Sequence, residues 1–364
     1  MRSQTLKQSV KQLILHGVEF AGFNRLARHY TRRRLLALCY HGVLSAECLP
    51  NDARLNLAVT AAQFDQQMQE LRRNWNPVTI EQVRQSIEEG VPLPDKAVLV
   101  TFDDGFRNNL TVAQPILEKY QIPAIVFITT DMIGTDNLIW AVELIERLVS
   151  WKQMRFTLGA TQYVLPPPDT PERTWAVSSI MDSIRNVSQQ ESQAFVEHVK
   201  NQTTLDLSPA WKRELYEFMN WDEVRQIQQK GFAIGAHTAS HPILSHLEPE
   251  ELEAEMSGSS MLIEQELEKS SAKIEGEKFD ESKERAEKET KTKIDTIAYP
   301  FGSQYDYSDE VVSKARDLGF RLGFTLTERR NPKVLDPMRI SRICICNDLT
   351  LASFRALISG IRGN

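Results

Sequence analysis

The chain has 364 residues, 41% hydrophobic and 25% charged, with a formal net charge of −6. This is the composition of a globular protein, and it lacks the global basic field that would recruit a nucleic acid. Its four cysteines, Cys39, Cys48, Cys344 and Cys346, show neither C-x-x-C spacing nor the density of a secreted disulfide scaffold, so reduced thiols are expected.

Residues 1–34 carry eight Lys/Arg (Arg2, Lys7, Lys11, Arg25, Arg28, Arg32, Arg33, Arg34) against one acid, Glu19. Leu6, Val10, Leu13, Ile14 and Val18 recur at helical spacing. The pattern describes a basic amphipathic helix, suited either to packing on its own domain or to lying on an anionic membrane surface. No run approaches the ~20 apolar residues of a membrane span, and no apolar signal core with a cleavage site is visible. A cytoplasmic location, peripheral at the inner face of the membrane, is the expectation.

Residues 35–364 read as one catalytic domain. Seven short apolar runs are rich in β-formers: Leu35 to Tyr40, Ala97 to Phe102, Ala124 to Thr129, Phe232 to Ala236, Thr296 to Tyr299, Leu322 to Thr327 and Ile340 to Ile345. Amphipathic patterns such as Phe64/Met68/Leu71 and Val112/Ile116/Tyr120 separate most of them. Near-continuous apolar strands alternating with helices predict a parallel sheet buried on both faces, best met by a β/α barrel. Two inserts interrupt the alternation. One, about 131–219, is mostly helical and placed to shape substrate. The other, about 268–293, is crowded with Lys and Glu and reads as a solvated helix or loop.

Four strand ends carry chemistry. Ala97–Phe102 leads into Asp103-Asp104-Gly105, two adjacent carboxylates at the lip where barrel enzymes keep their active sites. Such a pair either caps the next helix or is compensated by a cation. Gly235-Ala-His237-Thr-Ala-Ser-His241 follows another strand, and two imidazoles four residues apart suit zinc-like metals. Ala298-Tyr299-Pro300-Phe301-Gly302 closes a third, where Pro300 and Gly302 favour a turn that aims the Phe301 N–H at a ligand. Cys39-Tyr40-His41-Gly42 ends the first and puts His41 on the same rim.

These residues resemble the polysaccharide deacetylases, the family with the NodB homology domain. The likeness runs from Leu35 to Ile345, and Val100-Thr-Phe-Asp-Asp-Gly105 with the His237/His241 pair is its most specific part. It implies a distorted (β/α)7 barrel, one divalent metal ion of the zinc kind on Asp104, His237 and His241, and Asp103 as the general base. It also implies an oxyanion donor at Phe301, with Tyr299 and Trp140 beside it facing substrate. Ala298 stands where the family commonly has an Arg that braces the base, so Arg339 or Arg342 is expected to replace it. Leu335 to Ile343 lacks the usual general-acid His. In the exopolysaccharide-associated branch, which has a Tyr-His motif near its N-terminus, that His looks like the replacement, and here it is His41. The implied reaction is removal of acetyl groups from N-acetylated sugars of a polysaccharide or of a lipid- or nucleotide-linked glycan intermediate. The alternatives are an O-acetyl carbohydrate esterase on the same barrel and an inactive carbohydrate-binding relative, the latter disfavoured by the intact Asp103, Asp104, His237 and His241 set.

Overall fold

The computed structural model describes residues 32–45, 57–168, 170–274, 293–327, 330–347 and 349–360. The amphipathic pattern before Arg32, and the charged run of the second insert beyond Ile274, lie outside them. No helix among the described residues is long and apolar enough to cross a membrane.

In chain order the strands are β1 (Leu36–Tyr40), β2 (Gly42–Leu44), β3 (Ala58–Thr60), β4 (Asn76–Pro77), β5 (Ala97–Phe102), β6 (Ala124–Ile128), β7 (Arg155–Leu158) and β8 (Thr161–Val164). They continue with β9 (Ala233–Ala236), β10 (Thr296–Ala298), β11 (Leu322–Thr325), β12 (Ile340–Ser341) and β13 (Ile343–Cys344). The helices are α1 (Ala61–Asn74), α2 (Ile80–Glu88), α3 (Gln114–Tyr120), α4 (Trp140–Ser150), α5 (Pro171–Ile184) and α6 (Gln189–Gln202). After them come α7 (Ala210–Tyr216), α8 (Trp221–Gln229), α9 (Pro249–Ile274), α10 (Asp309–Asp317) and α11 (Leu351–Ser359).

The main sheet runs β12-β11-β10-β9-β6-β5-β1-β13, every pair parallel, with β4 added at the start of β5. β12 and β13 are two halves of one stave, parted by Arg342. The first half pairs with β11 and the second with β1, so the last stave joins the first and the sheet becomes a barrel of seven staves. All seven lie where the apolar runs predict them, to within two residues.

Strand parity divides the core. Leu36, Leu38, Val98, Val100, Val126, Ile297 and Ile343 face outward and pack under the helices. Leu35, Ala37, Ala97, Leu99, Ile125, Phe127, Ala298, Phe324 and Ile340 fill the barrel. Continuing the inward parity toward the C-terminal lip gives Cys39 and His41, Thr101 and Asp103, Gly235 and His237, and Arg342 and Cys344. The barrel therefore aims its polar residues at one mouth.

The first insert has its own apolar core, in which Leu144, Leu148, Trp151, Phe156, Ile180 and Phe195 take part. Its helices α4 to α7 match the expectation, but β7 and β8 form an antiparallel hairpin inside it that the helical reading misses. The period-2 signal there is four residues a side, Phe156 and Leu158 inward against Arg155 and Thr157, too short to stand out in a helix-length window.

Inside the barrel, a Cβ placed on Gly235 would lie 2.5 Å from the Phe127 ring and 2.9 Å from Thr296 Oγ1. Both neighbours are locked in adjacent staves, so the clash has little room to relax. Gly235→Ala is expected to lower the unfolding free energy by about 1–3 kcal/mol, the usual cost of overpacking. A urea denaturation midpoint unchanged from the parent would refute this.

Candidate active site

Asp103 lies at the end of β5, buried, and its N–H donates to Tyr40 O, which ties β5 to β1 beyond the last ladder bond. Both of its carboxylate oxygens are taken by one guanidinium: Arg342 Nη1 donates to Oδ1 at 2.6 Å and Nη2 to Oδ2 at 2.7 Å. Arg342 is itself fully buried. Its other donors reach Thr101 Oγ1 and Thr325 O, and its plane lies over the rings of Phe127 and Phe324. Burial alone would push the Asp103 pKa up, yet the charge of Arg342 and its bidentate hydrogen bonds hold it well below the usual carboxylate range.

Asp104 has the opposite environment. Its backbone is left-handed (φ 75°), which swings the side chain away from the clamp. Burial, and next the negative charge of Asp103, push its pKa well above the ordinary value. Its Oδ1 lies 3.5 Å from His237 Nε2 and 3.7 Å from His241 Nε2, and it makes no hydrogen bond among the described residues.

The tautomer of His237 decides what that convergence means. His237 Nδ1 lies 2.8 Å from the Ala298 carbonyl, which only accepts, so Nδ1 carries the proton and Nε2 presents a lone pair. Burial lowers the pKa of both imidazoles, so both are neutral. The lone pair of His237 Nε2 thus faces the Asp104 carboxyl across a buried gap, a contact that is repulsive unless a proton on Asp104 or a metal cation lies in it. Asp104, His237 and His241 each bring one donor atom within 4.8 Å of the others, a donor set that fits one divalent ion with open positions left for substrate.

The loop bearing His241 is held from behind. Thr238 and His241 are both left-handed (φ 64°), and the His241 N–H donates to Thr238 Oγ1. The Ala239 and Ser240 N–H groups both donate to Glu255 Oε2 at 2.9 Å. Trp140 Nε1 donates to His241 O at 2.9 Å while its ring meets that of Phe301 edge-on. The Phe301 ring covers His241, at 4.8 Å between centroids. The predicted turn forms with Phe301 at φ 58° and Gly302 at φ 66°. A side chain at 302 would strike Leu326 N at 2.6 Å, so only glycine fits there. The Phe301 N–H makes no hydrogen bond among the described residues.

His41 joins the same corner, one of its ring nitrogens lying within 4.8 Å of donor atoms of Asp103 and Cys39, and its Nδ1 is buried without a hydrogen-bond partner. Burial, the largest cause, lowers its pKa to about 4. Asn109 Nδ2 donates to His41 O at 2.6 Å from the first residue of a π-helical turn, Asn109–Ala113. That turn leads directly into α3, and such bulges gather at functional sites. Two of the sequence expectations are corrected. Tyr299 has outward parity: its ring is buried beneath the helices, stacked on Tyr307, and its hydroxyl donates to Met338 O, so it does not face substrate. Arg339 pairs with Asp336 and Asp309 on the surface and not with Asp103.

Comparison with known proteins agrees with this barrel. A family model described as polysaccharide deacetylase matches residues 90–159 and 186–323, more than half of the chain. The chain belongs to that family. A poly-beta-1,6-N-acetyl-D-glucosamine N-deacetylase of Escherichia coli (strain K12) is 35% identical over 105 residues, 27% of this chain and 16% of that protein. One of Staphylococcus aureus (strain MSSA476) is 32% identical over 117 residues, 30% of this chain and 40% of that protein. The matched segments are thus under half of either relative's length. Among solved structures, the Streptococcus pyogenes deacetylase PplD in complex with acetate superposes with a TM-score of 0.54 at 17% identity, covering 89% of this chain and 98% of that one. IcaB from Ammonifex degensii gives 0.53 at 17% identity, covering 90% and 97%. At such identity the likeness is one of fold.

Cys39 and Asn109 are the residues at this deacetylase-family site that motif reading misses. Parity was the available signal for Cys39, two residues before His41 on one stave, and its Sγ donates to Asp103 Oδ2 at 3.3 Å. The clamp gives a prediction of stability. Arg342→Met leaves Asp103 buried without a counter-charge and is expected to destabilise the fold by about 3–5 kcal/mol. Arg339→Ala, which breaks surface pairs, should cost under about 1 kcal/mol. Equal denaturant midpoints for the two variants would contradict the assignment.

Proposed function

We propose that this chain is a metal-dependent hydrolase that removes acetyl groups from N-acetylated hexosamine units of a glycan. The observation that carries the reading is the division of labour between adjacent carboxylates. Asp103 is locked as an anion by Arg342, while Asp104 meets two neutral imidazoles across a gap that calls for a cation. Membership of the polysaccharide deacetylase family and the partial likeness to poly-N-acetylglucosamine N-deacetylases support the acetyl amide as the bond cleaved.

In this reading Asp104, His237 and His241 hold one divalent ion, zinc by the chemistry of the donor set. When bound, it supplies a Lewis acid for the acetyl carbonyl and acidifies a water. Asp103 takes a proton from the attacking water at a carboxylate oxygen, its orientation fixed by the Arg342 fork. The Phe301 N–H, turned out by its left-handed backbone, donates to the developing oxyanion, a type of contact worth roughly 3 kcal/mol. His41, which burial leaves neutral at rest with a pKa of about 4, passes on to the departing nitrogen the proton released by the attacking water. An amine leaves an amide far less readily than an alkoxide leaves an ester, so amide cleavage needs that acid most. The Trp140 and Phe301 rings wall the His241 side and seat the sugar ring. A glycan intermediate at the inner face of the membrane belongs to the same reading and rests on the basic stretch 1–34.

Purified protein is expected to hold one equivalent of divalent metal and to release acetate from N-acetylated glucosamine oligomers. His237→Ala should lose both. His41→Ala should retain the metal and lose amide hydrolysis by roughly 10²–10⁴-fold, the range of one general acid, while an activated acetyl ester suffers much less. Metal-replete wild type that releases no acetate from any N-acetylated glycan would sink the proposal. Equal loss of both activities in His41→Ala would remove His41 from its role.

A further inference from the structure

The Phe301 turn is gripped by a cation from the first insert. Arg185, the residue that ends α5, sets its guanidinium 5.5 Å from the centroid of the Phe301 ring, the same ring that covers His241. Arg185 Nε lies 2.8 Å from Asp306 Oδ1, in an ion pair whose acid is wholly buried. Nη1 donates to Asp182 Oδ1 on the surface, and the Arg185 carbonyl lies 3.1 Å from His246 Nε2. Asp306 in turn closes the segment that follows Phe301. Its Oδ2 accepts from the Ser303 N–H at 2.9 Å, its N–H donates to Ser303 O, and its carbonyl accepts from the Ser245 N–H. One guanidinium thus holds both ends of a stretch that begins with two left-handed residues, Phe301 and Gly302. A non-glycine residue keeps such a backbone only where its surroundings hold it there. Charge on a buried carboxylate and a cation over an aromatic face are two independent holds.

We propose that Arg185 is a positioning residue: through its contacts with the Phe301 ring and with Asp306, the insert sets the direction of the Phe301 N–H and so the strength of the oxyanion contact. The catalytic consequence rests on the proposed function, whereas the anchoring does not. Among the described residues Arg185 makes no ion pair with Asp103 or Asp104, so its influence passes through the turn. Amide and ester cleavage build up charge on the same kind of oxygen. A misdirected donor therefore slows both alike, in contrast to loss of His41, which spares the ester. The contact strengthens only as the oxyanion develops, so kcat falls while KM holds.

Two readouts on the full chain, supplied with zinc, separate positioning from mere support of the fold. The first is amide hydrogen exchange over residues 300–306, where the Gly302, Ser303 and Asp306 N–H groups are hydrogen-bonded. Exchange there should quicken several-fold in Arg185→Gln while the 237–241 loop keeps its protection. The second is turnover, measured well below each variant's melting temperature. Arg185→Gln should lower kcat by roughly 10–10²-fold for N-acetylated glucosamine oligomers and for an activated acetyl ester alike, with little change in KM. Arg185→Lys, which keeps the charge, should fall between it and wild type. Arg185→Gln leaves the Asp306 carboxylate uncompensated and lowers the melting temperature. Adding Asp306→Asn removes that buried charge and should restore the melting temperature but not kcat. Recovery of both together would show a structural role alone and overturn the proposal, as would unchanged exchange over 300–306 in Arg185→Gln or a slowing confined to the amide. A wild type that releases no acetate refutes the hydrolase reading, and the exchange measurement then still decides whether Arg185 anchors the turn.

Discussion

A buried guanidinium–carboxylate pair organises this barrel. Arg342 has no access to solvent, and neither of its partners in charge and geometry, Asp103 and the floor of Phe127 and Phe324, has any to spare. Stripping water from two ions is expensive, and the mutual attraction offsets the cost only when geometry is good and the remaining donors are satisfied. Here the fork is bidentate, and the other guanidinium donors go to Thr101 and Thr325. Arg342 also sits where the last stave changes partner from β11 to β1. The residue that fixes the acid's charge is thereby the one at which the barrel closes. Site chemistry and fold closure depend on a single side chain.

The same pair explains how two neighbouring acids come to differ. Adjacent carboxylates in one low-dielectric mouth repel, and the cheapest outcome for an isolated pair is to neutralise one of them. Arg342 settles which: it stabilises charge on Asp103, and that charge in turn raises the cost of charge on Asp104. Left-handed backbone at Asp104 keeps its side chain from sharing the clamp. Among the described non-glycine residues with positive φ, Asp104, Thr238, His241 and Phe301 belong to the site, and Lys96 and Gln121 do not. Strain of roughly 1–3 kcal/mol at each such residue persists only where the surroundings over-determine it. Glu255 and Trp140 do so for the His241 loop by occupying its free N–H and C=O groups.

Much of this was legible in the residue order, and the limits have physical causes. The seven staves are legible because a parallel strand buried on both faces has almost no choice but Val, Ile, Leu, Ala and Phe. Asp103, Asp104, His237 and His241 are legible because they follow two of those runs directly, and a strand's end is a fixed place in a barrel. Parity separates Arg342 from Arg339, and Tyr299 from the mouth, but it operates only once the register is known, and a one-residue slip reverses every side. The β7–β8 hairpin was hidden by its brevity. Asn109 was hidden because a π-turn leaves no periodic trace in five residues.

Arg342 also shows why a missing motif residue need not mean a missing function. The resemblance places an arginine at the position of Ala298, on the stave β10, yet the guanidinium arrives from the stave two places further round the closed ring. Ala298 is small and inward-facing in the core of the barrel, and its carbonyl is committed to His237 Nδ1. What the acid requires is a positive charge at a point inside the mouth, and inward positions on several staves can project to that point. Arg342 meets the requirement through parity and ring closure.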